Sequence, residues 1–295
     1  NVMVLSNLAL LTGQIGKEGA WTSPLRGQNN VQGACDMGAL SEFYPGYQKV
    51  EKKETVEKFK KLWDEEKLPD KTGLSVVEIF KAGFEGKIKC LYIMGENPLI
   101  SDPDISHVEE GLKKIDFVVV QDIFLTETGK FADVVLPAVS SFEKEGTFTN
   151  TERRVQKISK CVEPPGEAKP DWKIITEIAR KLGYKWGYEN VWDITDEISR
   201  VVAIYGGITS ERIFKGEFLQ WPCPDKNHPG TRTLHIGKFT IGKGKLKCIE
   251  YKPPFEIPDK KYPFILTTGR ILTEYHTRTV SYTHLRAHET RHDLV

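Results

Sequence analysis

Between residues 88 and 137 three short apolar runs each close on polar or turn-forming residues, with a helical period between the first two; this arrangement narrows the fold more than any other feature of the chain. Ile88 to Met94 ends in the turn Gly95-Glu96-Asn97-Pro98. Ile105 to Ile115 places Val108, Leu112 and Ile115 on one helical face, with Asp104 or Ser106 as its cap. Phe117 to Val120 ends in Gln121-Asp122, and Val134 to Leu136 closes at Pro137. Strand, helix and uninterrupted apolar strand predict a βαβ unit in a parallel sheet covered on both faces, hence an α/β fold. In such sheets ligands bind beyond the carboxyl ends of the strands, where Gly95 to Asn97 and Gln121-Asp122 fall. Carboxylates there can accept from ribose hydroxyls or guanine N–H groups, and Asn97 can donate or accept. The bland alternative is that Asn97 and Asp122 only cap the turns that follow them.

The flanks are less regular. Val2 to Leu11 is expected to form a buried helix stopped at Gly13; it is too short to cross a bilayer and lacks the basic flank and small-residue cleavage site of a leader. Because that run is already under way at Asn1, the natural beginning is expected upstream. Thr12 to Gly38 predicts an extended loop system. Within it RGQNNVQGACDMG (Arg26 to Gly38) sets an arginine, two glutamines and two asparagines between glycines, a composition suited to a polar heterocycle with phosphates and equally to a plain surface loop. Glu54 to Glu66 predicts an amphipathic surface helix. Asp171 to Leu182 predicts another, with Trp172, Ile175, Ile178 and Leu182 inward and Gly183 as its stop. Further helices are expected over 191–204 and 209–214. Past Trp221, GKFTIGKG (Gly237 to Gly244) reads as a β-hairpin with a basic turn, residues 253–263 as a linker, and Phe264 to Thr268 as a new strand, so a domain boundary falls near 255.

Lysine and arginine total 42 against 41 acidic residues, and a net charge of +1 gives no reason to expect nucleic acid or a membrane surface as partner. Cys35, Cys90, Cys161, Cys223 and Cys248 are scattered and never in a CxxC pair, which argues against a disulfide framework or a metal cluster within this stretch and favours a reducing, cytoplasmic setting. GKFTIGKG departs from a phosphate-binding loop because Gly244 stands where Ser or Thr must hold magnesium. HETRH (His288 to His292) matches a zinc-protease pattern, but only three residues follow it, so no metal ligand is assigned in this chain. Lone histidines such as His107, His228 and His235 read as structural or exposed.

Several segments together resemble one family. RGQNNVQGACDMGAL, YPGYQ, YIMGENPLISDP, VVVQDIFLTETGKFADVVLP, FEKEGTFTNTERRVQ and KPDWKIITEIARKLGY look like the molybdopterin-dependent formate dehydrogenase catalytic subunit, in order from about residue 2 to Thr279. GENP alone is shared more widely, including with nitrate reductases and the large iron-sulfur subunit of respiratory complex I. The resemblance implies a molybdenum or tungsten ion held by two molybdopterin guanine dinucleotides, oxidation of formate to CO2 or the reverse, and electrons passed to a 4Fe-4S cluster and onward to an electron-transfer subunit. It implies that residues 1–28 end one α/β domain, 29–253 form most of a dinucleotide-binding domain, and 254–279 open a C-terminal β-barrel.

Carried over by position, Arg26 and Gln28 match the catalytic arginine and glutamine beside the metal. Gly95, Glu96, Asn97, Ser101, Gln121, Asp122 and Asp171 match positions lining a guanine dinucleotide, and Arg270, His276 and Thr277 a pterin-contacting loop. The resemblance would place the metal's cysteine or selenocysteine ligand, the adjacent histidine and the cluster cysteines upstream of Asn1, so this stretch alone is expected to be inactive. SYTHLRAHETRHDLV shares nothing with the family, and residues 280–295 are expected to be a foreign tail. The competing expectations are a nitrate reductase of the same superfamily and a metal-free scaffold or electron-relay subunit. Arg26 and Gln28 weigh against the scaffold, which has no need of a carboxylate-orienting guanidinium.

Overall fold

A computed structural model describes residues 2–20, 22–254 and 256–265. Its elements run α1 (Val2–Leu11), α2 (Val31–Asp36), β1 (Phe43–Tyr44), β2 (Gln48–Lys49), α3 (Lys53–Trp63), α4 (Val76–Phe84), β3 (Cys90–Met94), α5 (Pro98–Ser101), α6 (Ile105–Lys113), β4 (Phe117–Asp122), β5 (Val134–Pro137), β6 (Gly146–Thr149), β7 (Arg154–Ile158), α7 (Asp171–Lys181), α8 (Val191–Val201), α9 (Ser210–Phe214) and β8 (Leu219–Gln220).

The expected βαβ unit is present: β3 and β4 pair in parallel from Cys90 against Phe117 to Met94 against Gln121, and β5 joins β4 in parallel. The intervening helix is capped by Asp104, whose side chain accepts from the His107 N–H. Phe80 of α4 and Val108 and Leu112 of α6 pack with Leu99, Ile93, Val118 and Val120 into one buried cluster beneath the sheet. Burying each such side chain contributes about 1.5–3 kcal/mol, which makes this layer the rigid part of the scaffold. The two helices approach closely at Gly111, where an added Cβ would lie 2.7 Å from the Phe80 carbonyl oxygen.

Cover on both faces holds for the central strand only. Val118 to Gln121 are all buried, but on edge strand β3 Cys90, Tyr92 and Met94 are exposed on the face away from α4 and α6. A second, antiparallel sheet runs β6-β7-β8 and packs Val155 and Leu219 with Val201, Val202, Tyr205, Ile208 and Ile213. A third cluster joins Tyr44, Val50, Val56 and Phe59, with the Tyr44 and Phe59 rings stacked at 4.7 Å.

Four further expectations are corrected. The helix at Val2–Leu11 forms, yet none of its residues is buried; uniform apolarity shows that a helix prefers cover, not that its neighbours in sequence supply it. The stretch 12–38 is not all loop, because α2 forms within it, too short to leave a periodic signal. On α7 the buried residues are Ile174, Thr176 and Ala179, while Ile175 and Leu182 are exposed, so the inward face lies to one side of the apolar stripe. The hairpin at Gly237–Gly244 reduces to a single bridge between Phe239 and Gly242. The barrel strand beyond Ile265, the zinc-like motif and the 280–295 tail lie outside the described residues.

Candidate functional site

The sequence-predicted residues fall into two groups. The first gathers at the tips of β3 and β4. The N–H of Gly95 donates to the Gln121 carbonyl oxygen at 2.9 Å, stapling the turn after β3 to the end of β4. Gly95 has φ +63°, and an added Cβ there would meet nothing within 4 Å, so the turn presents bare backbone to open space. Asn97 is buried: its Nδ2 donates to Glu127 at 2.8 Å, and its Oδ1 accepts from the N–H and hydroxyl of Thr128 at 3.2 and 2.7 Å. The Asn97 side chain makes no capping bond to the helical turn that follows it; it ties the turn after β3 to Glu127 and Thr128 instead.

Ser101 donates to Glu96 at 2.7 Å and lies 3.3 Å from Asp102 Oδ1, which makes a hydroxyl flanked by two carboxylates. Asp102 Oδ2 is buried with no hydrogen-bond partner, and burial pushes its carboxyl above the usual range. Gln121, fully buried, donates through Nε2 to Asp171 at 2.8 Å and accepts from the Tyr92 hydroxyl. Asp171, first residue of α7, also pairs with Lys144. Asp122 accepts from the N–H of Ile123 at 2.6 Å, the turn-capping role foreseen as its bland alternative.

Open glycine backbone, a serine between two acids and one lysine form a set of donors and acceptors that fits a nucleotide, with an unsatisfied carboxylate oxygen buried beside them. The acids offer acceptors for sugar hydroxyls and guanine N–H groups, and Lys144 offers a cation for phosphate. Tyr92, Asp102 and Lys144 were not foreseen. Asp102 lay within YIMGENPLISDP and Lys144 within FEKEGTFTN, but only spatial placement shows that they face the tips.

The second group surrounds Arg26. Its Nη2 donates to Gln32 Oε1 at 2.8 Å, and it lines a cavity of about 880 Å³ together with Gln32, Tyr47, Arg153, Gln220 and Trp221. Gln28 is exposed and shares a smaller neighbouring cavity with Arg26, Asn30 and Thr149. The loop between them is pinned by Asn30, which has φ +61° and accepts from the Thr149 N–H at 2.8 Å. Behind Gln32 lies Asp36, 0% exposed, with Oδ1 accepting from Gln32 Nε2 and from the Tyr47 hydroxyl, each at 2.8 Å, and Oδ2 accepting from the Tyr205 hydroxyl at 2.5 Å. Burial and the Asp36 charge raise the pKa of both tyrosines, so both stay neutral donors.

The structure thus gathers Gly95, Glu96, Asn97, Ser101, Gln121, Asp122 and Asp171 into one neighbourhood and Arg26 and Gln28 into another. Arg270, His276 and Thr277 lie outside the described residues.

Residues 1–181 match the family "Molybdopterin oxidoreductase". The chain is 56% identical over 284 residues, 95% of its length, to the F420-dependent formate dehydrogenase subunit alpha of Methanocaldococcus jannaschii, and 41% identical over 284 residues to formate dehydrogenase H of Escherichia coli. It spans 42% of the first relative and 40% of the second. A solved structure of acetylene hydratase from Pelobacter acetylenicus aligns with 70% of this chain and 26% of its own at 21% identity, with a TM-score of 0.38, too loose a superposition to carry an argument. With a family match over residues 1–181, more than half of the chain and all three strands of the parallel sheet, this chain belongs to the molybdopterin oxidoreductases.

Proposed function

We propose that this chain is the nucleotide-gripping and substrate-orienting part of a formate dehydrogenase catalytic subunit. Family membership implies a molybdenum or tungsten pterin cofactor. The finer reading is that one of its guanine dinucleotide arms is held at Gly95, Glu96, Ser101, Asp102, Gln121, Asp171 and Lys144, with Arg270, His276 and Thr277 contacting a pterin. When bound, the metal cofactor accepts the two electrons released as formate becomes CO2.

The observation that carries the substrate reading is the guanidinium of Arg26 at the wall of the 880 Å³ cavity, hydrogen-bonded to Gln32. Formate is planar and carries one negative charge on two oxygens, which a guanidinium meets with two parallel N–H donors. Arg26 binds and orients the carboxylate so that its C–H faces the reacting centre, and Gln28 offers an amide at the rim. No helix of the described residues is long and apolar enough to cross a membrane. The five free cysteines support a reducing cytoplasm, and the F420-dependence of the M. jannaschii relative supports a partner subunit that delivers the electrons to F420 by way of a 4Fe-4S cluster.

The test is Arg26→Lys in a full-length enzyme carrying this sequence. Keeping charge but losing the fork, it is expected to lower kcat/KM for formate about a hundredfold at unchanged metal content, since bidentate charged hydrogen bonds contribute about 3 kcal/mol. Full activity of the lysine variant, or turnover of nitrate in place of formate, would overturn the reading.

A further inference from the structure

The orientation of the Arg26 guanidinium has a cause one layer behind it. Gln32 and Asp36 stand four residues apart on α2 and so share a helix face, and the Gln32 amide links the buried carboxylate to Arg26. An amide has a donor end and an acceptor end, and either could face the arginine. A carboxylate only accepts, so Asp36 obliges Gln32 to turn its NH2 inward. Tyr47 reinforces this, because its hydroxyl gives its proton to Asp36 and therefore receives the second Gln32 N–H, at 2.9 Å. Only Oε1 is left to face outward, where Arg26 donates to it.

We infer that Asp36 is a positioning residue for the carboxylate-binding arginine, acting through Gln32, whose amide it polarises in one direction. Tyr47 and Tyr205 hold the carboxylate still from opposite oxygens, Tyr47 from a left-handed backbone position (φ +58°) and Tyr205 from the short helical turn after α8. With Asp36 replaced by asparagine the hub keeps its shape but gains a donor. The Gln32 amide can then flip, presenting N–H to Arg26, and two donors facing each other drive the guanidinium away. This inference rests on Arg26 binding the carboxylate, so the two must be separable by experiment.

The experiment compares Asp36→Asn, Gln32→Leu and Arg26→Lys in the full-length enzyme, measuring formate KM and kcat separately, metal content, melting temperature and calorimetric affinity for nitrate, a planar anion. Loss of a hydrogen bond to a charged group corresponds to about a ten- to a hundredfold change, and it is expected in KM and in nitrate affinity for both Asp36→Asn and Gln32→Leu, with kcat falling less and metal content unchanged. Gln32→Leu leaves both tyrosine bonds to Asp36 in place, so it decides the matter if Asp36→Asn fails to fold. Should both variants keep wild-type KM and nitrate affinity while Arg26→Lys loses them, Asp36 is merely structural and the inference fails. Should Arg26→Lys itself leave both quantities unchanged, the proposed role of Arg26 fails and takes this inference with it.

Discussion

The strand tips and the Asp36 hub are both polar, yet they are built in opposite ways. At the tips, Gly95, Glu96, Asn97 and Ser101 come from one turn and Gln121 and Asp122 from the adjacent parallel strand, so sheet register alone brings them together. Their surface is partly open, and beneath it one oxygen, Asp102 Oδ2, is buried without a partner. The hub draws Arg26, Gln32, Asp36, Tyr47, Thr149 and Tyr205 from five separate segments, and its carboxylate is sealed from water with three donors on its two oxygens. One site leaves capacity for a ligand at its atoms, while the other spends all its capacity on holding a single side chain at the cavity wall.

That contrast predicts where substitutions act. The largest effect is expected inside the tips, where their own scaffold is as closed as the hub: Asn97→Leu removes three hydrogen bonds and leaves the N–H of fully buried Thr128 without its acceptor. A loss of about 3 kcal/mol in urea unfolding is expected, and a loss below about 1 kcal/mol would show that the turn is held by backbone contacts alone. Next comes Tyr205→Phe, which takes the tyrosine donor from Asp36 Oδ2 and is expected to cost about 2 kcal/mol. Tyr47→Phe, at a less buried position with Gln32 still bonded to the same oxygen, should cost about half as much. Equal losses for the two tyrosines would erase the distinction between sealed and open donors.

The same difference explains what was legible in the sequence. The parallel unit could be read because continuous apolar strands and a 3.6-residue period are local signals, and a strand tip is located once its strand is. The grouping of Gln121 with Asp171 came only from the family resemblance, since 50 residues separate them. Nothing local announces that Tyr205 will meet Asp36 across 169 residues, and a helix as short as α2 leaves no periodicity by which to pair Gln32 with Asp36. The antiparallel β6-β7 hairpin did carry a signal: Gly146-Thr147-Phe148-Thr149 and Val155-Gln156-Lys157-Ile158 alternate around Asn150, whose side chain accepts from the Arg154 N–H at 3.0 Å. The misjudged faces of α1 and α7 share one cause, because apolar residues mark a preference for cover that distant segments grant or withhold.

A smaller effect isolates the backbone of the tips from their side chains. Gly95→Ala puts a methyl group into open space, so no overlap arises, and the expected loss is about 1 kcal/mol from the left-handed φ alone. In a full-length enzyme the same substitution should reduce cofactor retention more than stability, measured as metal content against melting temperature, because bare backbone at that turn is what a phosphate or sugar can approach.

The smallest expected change has the opposite sign. Burial raises the Asp102 carboxyl, the hydrogen bond from Ser101 opposes this, and the Glu96 charge adds to it. A folded pKa above the unfolded one means that protonated Asp102 favours the folded chain; that contribution is complete below the ordinary aspartate value of about 3.9 and is lost as pH rises through the raised folded value. At pH 7 the ionised side chain therefore works against the fold, with Oδ2 buried and unpartnered. Asp102→Asn should raise the melting temperature of the chain by about 2–4 °C at pH 7, the equivalent of about 1 kcal/mol, and by nothing at pH 3 where the wild-type group is already neutral. An equal gain at both values would mean that packing rather than charge is responsible. A gain confined to neutral pH, joined to weaker cofactor retention in the full-length enzyme, would show that stability is forgone at the tips to hold an unpartnered charge beside the ligand, whereas the hub around Asp36 has a donor on each oxygen.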